Sequence, residues 1–429
     1  MFICVFEDDQ ASRFAPISDT RPVCDLRVGA TTSLGLVRRS FPGAHIVVYC
    51  RPELAESAAS SCDAVVNHIP DGVDVLFLNA RWIVRPGGLV ESLRGSLQAG
   101  RGRVFLSSDG EVLAATVPAD QVGLLDGPTL SQQEFDKLDL DESPSTETLV
   151  SSLWDIIEHL PTQLADDFRH YSRGYNVYER TGAEVAKGAT LINGEQIYMS
   201  AGSNVLAGAI LDATAGPIIL DAGASVQENA VLKGPAYVGR DSRIHIGAKM
   251  RNVAIGEVCK VGGEVHDVII HGLSNKAHDG FLGHAYLGQW CNLGAATNNS
   301  NLRNDYGIVP AYDVRSGRFE STGRQFAGLL MGDHSKCSIG TMFNTGTTIG
   351  VCCNLFGAGF HPRMVPSFCW GGQDRYSTYR FEKAVHVAQI TAARRNRDFG
   401  EMERELLKRV YDRSTTLREA FLANTSSFR

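Results

Sequence analysis

No stretch of this 429-residue chain is long and apolar enough to span a bilayer, and the opening run MFICVFEDD meets acids before it reaches the length of a secretory signal. A cytoplasmic protein is the expectation. Basic charge is not in excess: 41 Lys and Arg stand against 48 Asp and Glu, a formal net charge of −7. Neither a nucleic-acid partner nor a membrane partner is therefore expected, although a local basic pocket is compatible with this balance. No two cysteines have C-x-x-C spacing, and the adjacent Cys352 and Cys353 make a poor zinc pair. Free thiols in a reducing compartment are the reading for all ten cysteines. The stretch after the first apolar run, EDDQASRFAPISDTRP, contains no glycine, so a backbone cradle for phosphates is not evident there.

What is present points to two domains, as the length suggests. Residues 1–130 read as α/β. Short apolar runs at Met1–Phe6, Ile46–Tyr49, Val73–Leu78 and Val104–Leu106 have strand character. Asp109-Gly110 marks a hairpin between VFLSS and EVLAA. Parallel strands joined by crossovers imply a Rossmann-like layer. Residues 131–180 read as a helical connector. Leu149, Leu153, Ile156, Ile157 and Leu160 recur at helical spacing, Pro161 interrupts them, and a second helix is expected over 164–171.

From about Val185, glycine, alanine and β-branched residues dominate, with a repeat of six. Leu220, Val226, Leu232, Val238, Ile244 and Met250 follow one another at intervals of six. The register slips to five at Ile255, resumes at Val261, and returns at Leu287 and Leu293 and at Phe343, Ile349 and Leu355. Glycine follows Val238, Ile255, Val261, Leu287, Leu293 and Ile349. A helix of 3.6 residues per turn does not produce this period. Three six-residue units, each one short strand and one corner, make a triangular coil with the apolar residue pointing inward, and coils must stack to bury that face. A left-handed parallel β-helix over residues 181–372 is the predicted fold. Residues 296–330 break the period and must leave the coil as a loop. Residues 373–429 read as a helical cap over the open strand edges. Their basic knot Arg394, Arg395 and Arg397 is read as a solvated face, with phosphate binding as the alternative.

The run NKAHDGFLGHAYLGQWCNLGAATNNSNLRNDYG (Asn275–Gly307) resembles the acetyltransferase half of the bifunctional N-acetylglucosamine-1-phosphate uridyltransferase/glucosamine-1-phosphate acetyltransferase, in particular its alternate bacterial form. So do KVGGEV (Lys260–Val265), GDHSKCSIGTMFNTGTTIG (Gly332–Gly350), PSFCWGG (Pro366–Gly372) and TRPVCDLRVG (Thr20–Gly29). The resemblance implies a homotrimer that uses acetyl-CoA to acylate an amino-sugar phosphate, in synthesis of nucleotide-sugar and cell-envelope precursors. It implies His278 as general base and Asn292 and Asn301 as orienting amides. Ala295 and Thr341 fall at the acyl-CoA site, and Arg243, Lys260 and Lys276 are the candidates for the sugar phosphate. No metal is implied at that site. A neutral imidazole suits removal of an ammonium proton at cytosolic pH, and a backbone N–H suits the charge developing on a thioester carbonyl.

Two positions depart from the family. Its Gly-Ala-Gly-Thr turn reads Gly294-Ala295-Ala296-Thr297 here, and a tyrosine three residues after the base is replaced by Phe281. The N-terminal domain has about half the usual length of a sugar nucleotidyltransferase. Asn79 stands where that family carries a metal-binding aspartate. Arg13 and Arg27 are its candidate contacts to a nucleoside triphosphate, with Mg2+ if the domain is active. An active domain and a degenerate structural one both remain open. Two further readings stand beside acyl transfer. The spacing of His245, His266 and His271 looks like the zinc ligands of γ-class carbonic anhydrases. A β-helix that only oligomerises a nucleotidyltransferase would not need His278, Asn292 and Asn301 together.

Overall fold

The computed structural model describes residues 1–172, 182–373 and 375–428. The chain divides into two units. One comprises Met1–Phe14, Ser18–Leu26 and Thr31–Ser152; the other comprises Ala15–Ile17, Arg27–Ala30 and Leu153–Arg429. The boundary between connector and β-helix expected at residues 180 and 181 lies outside the described residues.

The first unit is built on a seven-stranded sheet of β1 (Phe2–Phe6), β2 (His45–Tyr49), β3 (Val65–Val66), β4 (Val75–Asn79), β5 (Arg103–Leu106), β6 (Val112–Val117) and β7 (Asp141–Pro144), in the order β3-β2-β1-β4-β6-β5-β7. From β3 to β4 the neighbours are parallel. β6 runs antiparallel to both β4 and β5. The expected hairpin joins β5 to β6, with Gly110 in the left-handed region at φ +81°. The stretch 131–152, expected to be helical connector, instead completes this unit. β7 pairs with β5, and the short helix Gln132–Phe135 brings Phe135 within 5.1 Å of the Phe6 ring and 5.8 Å of the Phe77 ring. Burial of one phenylalanine in an aromatic cluster outweighs the weak local preference of a polar segment.

In the second unit, helix Leu153–Ser172 runs through Pro161 without a break, where two helices were expected. Proline removes one hydrogen bond and strains the preceding turn, at a cost of about 3 kcal/mol in a helix interior. Here Pro161 faces solvent, while Leu153, Ile156, Ile157, Leu160, Leu164 and Phe168 form one buried stripe against the strands of the solenoid. Each such side chain contributes about 1.5–3 kcal/mol on burial, which decides the matter.

The six-residue repeat folds into stacked parallel strands in two eleven-stranded sheets, the arrangement of a β-helix. The repeat positions fall into columns. Leu220, Val238, Ile255, Ile270, Leu287, Met331, Ile349 and Val365 are successive register partners in one column. Val226, Ile244 and Val261 belong to a second, and Leu232, Met250, Val265 and Leu282 to a third. All are buried. Serines stitch the coils together. The hydroxyls of Ser242, Ser274 and Ser335 donate to the carbonyls of Gly256, Gly288 and Gly350 and accept from the N–H of Cys259, Cys291 and Cys353.

The excursion after residue 296 leaves and rejoins the stack one rung on, so that Leu287 pairs with Met331 and Asn292 with Lys336. It carries an antiparallel hairpin, Pro310–Asp313 with Arg318–Ser321, and Arg324 ties it to Asp155 and Glu158 of the long helix. Helices Phe381–Ala393, Glu401–Arg413 and Thr415–Ala423 follow the solenoid, and Phe421 and Phe428 enter its core. Of the basic knot, Arg394 and Arg397 are exposed, whereas Arg395 donates to the Val258 carbonyl and to Asn275 Oδ1.

Candidate functional site

In the first unit, the carboxyl ends of the adjacent parallel strands β1 and β4 come together, the usual place for a ligand in an open α/β sheet. Glu7 and Asp8 follow β1, and Asn79 and Arg81 sit at the end of β4. Sequence reading had passed over three of these four, although two acids directly after a buried strand were a visible signal. Asp8 Oδ2 accepts from Arg81 Nε and Nη2 at 2.9 and 2.6 Å and from Asn79 Nδ2 at 2.9 Å, while its Oδ1 accepts from the Gln10 N–H at 3.0 Å. Glu7 is taken by Arg51 and by the Val23 N–H. Arg81 also pairs with Glu111 at 2.7 Å. Every carboxylate oxygen of Glu7 and Asp8 is thus engaged, and these residues do not fit Mg2+, which needs carboxylate oxygens of its own at about 2.0–2.1 Å.

Arg13 is exposed in this unit. Arg27 belongs to the other unit and is 7% exposed. Its Nε donates to the His271 carbonyl at 3.0 Å, one terminal nitrogen donates to the Gly29 carbonyl at 3.2 Å, and the other meets Glu257 at 3.4 Å. A group so fully engaged is a clamp on the solenoid, which corrects the expectation of a nucleotide contact. The Arg27–Ala30 stretch closes in the same way within this unit. A Cβ on Gly29 would lie 2.4 Å from Asp167 Oδ2, and that oxygen accepts the Ala30 N–H at 2.7 Å.

In the solenoid, Ser225, Arg243, Lys260, Asn275, Asn292 and Lys336 are successive register partners, a ladder of outward positions. Asn275 Nδ2 donates to Asn292 Oδ1 at 3.3 Å. Arg243 and Lys260 are both exposed, and neither pairs with a carboxylate among the described residues. His245 shares this face, with Nδ1 at 3.0 Å from Gln227 Oε1. Burial lowers its pKa, and the charges of Arg243, Lys260 and His278 lower it further. The imidazole is therefore neutral near pH 7. With Nδ1–H donated to Gln227, its Nε2 lone pair stays available, an assignment that rests on the hydrogen-bond pattern. His278 is exposed in the turn after strand Asn275–Lys276. Two cations, a neutral imidazole, His278 and the amide of Asn292 thus lie along one sheet.

The remaining expected residues divide. Lys276 is not on the ladder; it takes the inward position that Val261 holds one coil earlier and is 2% exposed, which corrects its reading as a substrate contact. Thr341 is fully buried, and its hydroxyl donates to the Ser338 carbonyl at 2.8 Å, so it braces a corner and does not face a cofactor. The Ala295 carbonyl accepts from the Gly340 N–H at 2.8 Å. Ala296, at φ +58°, occupies the left-handed conformation that the family's glycine suits. Asn301 places its amide 2.9 Å from His284 Nδ1, and among the described residues it makes no hydrogen bond to His278 or Asn292.

His245, His266 and His271 do not converge. His245 bonds Gln227, His266 bonds Asp267, and His271 is buried beside Gln289. The group that does converge is His266, Asp267 and His284. Burial raises the Asp267 carboxyl, but hydrogen bonds from His266 and Asn252 prevail and hold it below the usual carboxylate range. His284 is lowered, first by burial. Sequence reading missed Asp267 and His284 because nothing in the spacing told which polar residues of successive coils share a corner.

Residues 3–176 match the family model described as sugar nucleotidyl transferase. No curated protein matches the chain. Among solved structures, the polysialic acid O-acetyltransferase OatWY is similar at 13% identity over 46% of this chain and 86% of that one, with a TM-score of 0.23. The family match supports a sugar-related transferase.

Proposed function

We propose that the chain is an acyl-CoA-dependent transferase that acylates the amine of an amino-sugar phosphate, on a left-handed solenoid assembled as a homotrimer. The observation that carries this reading is the pair Arg243 and Lys260, register partners without a carboxylate, beside His245, His278 and Asn292 on one sheet. Two cations in register, without a carboxylate partner among the described residues, are arranged for a phosphate, whose oxygens accept charge-assisted hydrogen bonds from both. His278 then takes a proton from the substrate ammonium. The amine nitrogen attacks the thioester carbonyl, the N–C bond forms, and the C–S bond breaks. The second proton of the attacking nitrogen passes to the departing sulfur, which leaves as the thiol. The N–H of Ala295 holds the developing oxyanion, and Asn292 orients the sugar. In a trimer a neighbouring copy would cover His278, which a single chain leaves exposed.

The test is thiol release from acetyl-CoA with glucosamine-1-phosphate. His278→Ala should lower turnover by about 10²–10⁴-fold, the usual size of a general-base contribution, with thermal stability and trimer unchanged. Near-normal turnover with an unchanged pH profile would overturn the assignment. The family match over residues 3–176 favours a second reading, sugar-1-phosphate nucleotidyl transfer, which pyrophosphate release from nucleoside triphosphates would report. The closed network around Asp8 and Arg81 predicts none.

A further inference from the structure

On the other sheet, one residue per coil bulges out of successive strands in the left-handed conformation: Asn252 at φ +46°, Asp267 at +58° and His284 at +46°. The register places them one above another, because Arg251 pairs with His266, Val253 with Val268, and Val268 with Ala285. A non-glycine residue held there costs about 1 kcal/mol or more, and three in a column set a row of side chains pointing the same way. Asn252 Nδ2 donates to Asp267 Oδ1 at 2.8 Å, Asp267 Oδ2 lies 2.9 Å from His266 Nδ1, and His284 Nε2 lies 3.9 Å from the same oxygen. One ligand atom from each of His266, Asp267 and His284 lies within 4.8 Å of the other two.

We propose that His266, Asp267 and His284 bind one divalent transition-metal ion of the zinc class. Two imidazoles and a carboxylate form an N,N,O set suited to zinc, at about 2.0–2.2 Å per ligand, and three protein ligands leave a fourth position open. The next shell is in place: Asn252 holds the second oxygen of Asp267, and Asn301 lies 2.9 Å from the far nitrogen of His284. With the Asn301 amide turned to accept Nδ1–H, Nε2 is left as the donor to the metal, the arrangement in which an outer partner orients a ligating histidine. Phe326 stacks on the His284 ring at 5.0 Å and Phe281 stands edge-on to His266 at 4.8 Å, limiting where both rings can turn.

The open position has somewhere to lead. A groove of about 390 Å³ reaches His266 and is lined by Lys233, Lys249 and Arg251 with Glu264. A metal ion on His266 beside a groove lined by Lys233 and Lys249, with Arg251 3.9 Å from Asp267 Oδ2, suits an anionic oxygen ligand such as a carboxylate or phosphate. This site uses neither Arg243 nor His278, so it stands or falls apart from the acyl-transfer reading.

The experiment is calorimetry of the full chain, stripped with chelator, against Zn2+, with Co2+ absorption in the visible as the reporter of coordination. One ion per chain at micromolar affinity or tighter is expected, with Co2+ bands of a low-symmetry site. His284→Ala and the near-isosteric Asp267→Asn should each weaken binding at least 100-fold. Asn301→Ala should weaken it about 10–100-fold, the usual effect of removing an outer partner. The exposed His386→Ala should leave it unchanged. Circular dichroism confirms that each variant is folded, and the Asp267→Asn variant decides if His284→Ala is not. Absence of binding in the wild type, or affinity unaltered in a folded Asp267→Asn chain, would overturn the proposal.

Discussion

Lys276 occupies a position that the rest of its column fills with apolar side chains, and its removal should make the protein more stable. The ammonium lies inside the solenoid, 2% exposed, in register with Val261. Its one hydrogen bond among the described residues goes to the His278 carbonyl. Burial lowers its pKa from 10.5 to about 8, and Asp279 offsets only part of that. At about 1.4 kcal/mol for each factor of ten in acidity, carrying the charge inside costs on the order of 3 kcal/mol. Lys276→Met keeps the volume and removes the charge, so at pH 7 it should stabilise the solenoid by about 3 kcal/mol. The gain depends on pH in a defined way. Below about pH 8 both native and unfolded wild type hold the proton, and the full penalty applies. Between about 8 and 10.5 the native state releases its proton first, so wild-type stability rises with pH and the variant's advantage shrinks. Above 10.5 it should vanish. Urea unfolding of the full chain, followed by far-UV circular dichroism at pH 7, 9 and 10.5, measures this. A variant less stable than wild type, or an advantage that does not change with pH, would refute the reasoning.

Two other outcomes follow from burial. Arg27→Ala removes the donor to the His271 carbonyl and leaves Glu257 without its cation, so it should destabilise the second unit by about 2 kcal/mol, read as a lower urea midpoint with activity per folded molecule retained. All ten cysteines are buried, and burial raises the thiols of Cys259 and Cys353 to about 12, so a disulfide reagent should label fewer than one thiol per native chain within minutes and all ten in guanidinium. Rapid labelling of the native protein would contradict the packing.

The solenoid was legible because its signal repeats. Val226, Ile244 and Val261 each announce the same environment, and an error at one is corrected by the others. Legibility failed where coils shorten. Ile255 pairs with Ile270 in a coil three residues shorter than that between Leu220 and Val238, and the apolar period dissolves there. That shortening takes up Asp267, and so it also hid the cluster with His266 and His284. Lys276 and Thr341 were misplaced for a related reason: the polarity of a residue suggests an outward position, but a lone lysine or a hydroxyl that finds a carbonyl can be held inside. In the first unit, β7 and the Gln132–Phe135 turn were unreadable because DESP and QQEF have no strand or helix preference until β5 and Phe77 supply partners. Glu7, Asp8 and Arg81 could be seen in the sequence as charges, but the pairing of Asp8 with Arg81 and of Glu7 with Arg51 depends on the spacing of the strands that carry them.

The excursion that rejoins the stack one rung later has an evolutionary corollary. Its two ends are fixed by strand pairs that belong to neighbouring coils, and Asn299, Val309, Tyr312 and Phe319 pack onto the solenoid, which leaves the exposed hairpin tip at 314–318 as the part the scaffold does not constrain. Doubling the length of such a segment costs only about 0.6 kcal/mol in closure entropy. Insertions and deletions there can therefore accumulate without moving any column residue, provided an anchor such as Arg324 on Asp155 and Glu158 is kept or replaced. Asn301 and Phe326 lie outside that tip and are held against His284, so chains built on this plan can vary at the tip while the column residues and the His284 surroundings keep their places.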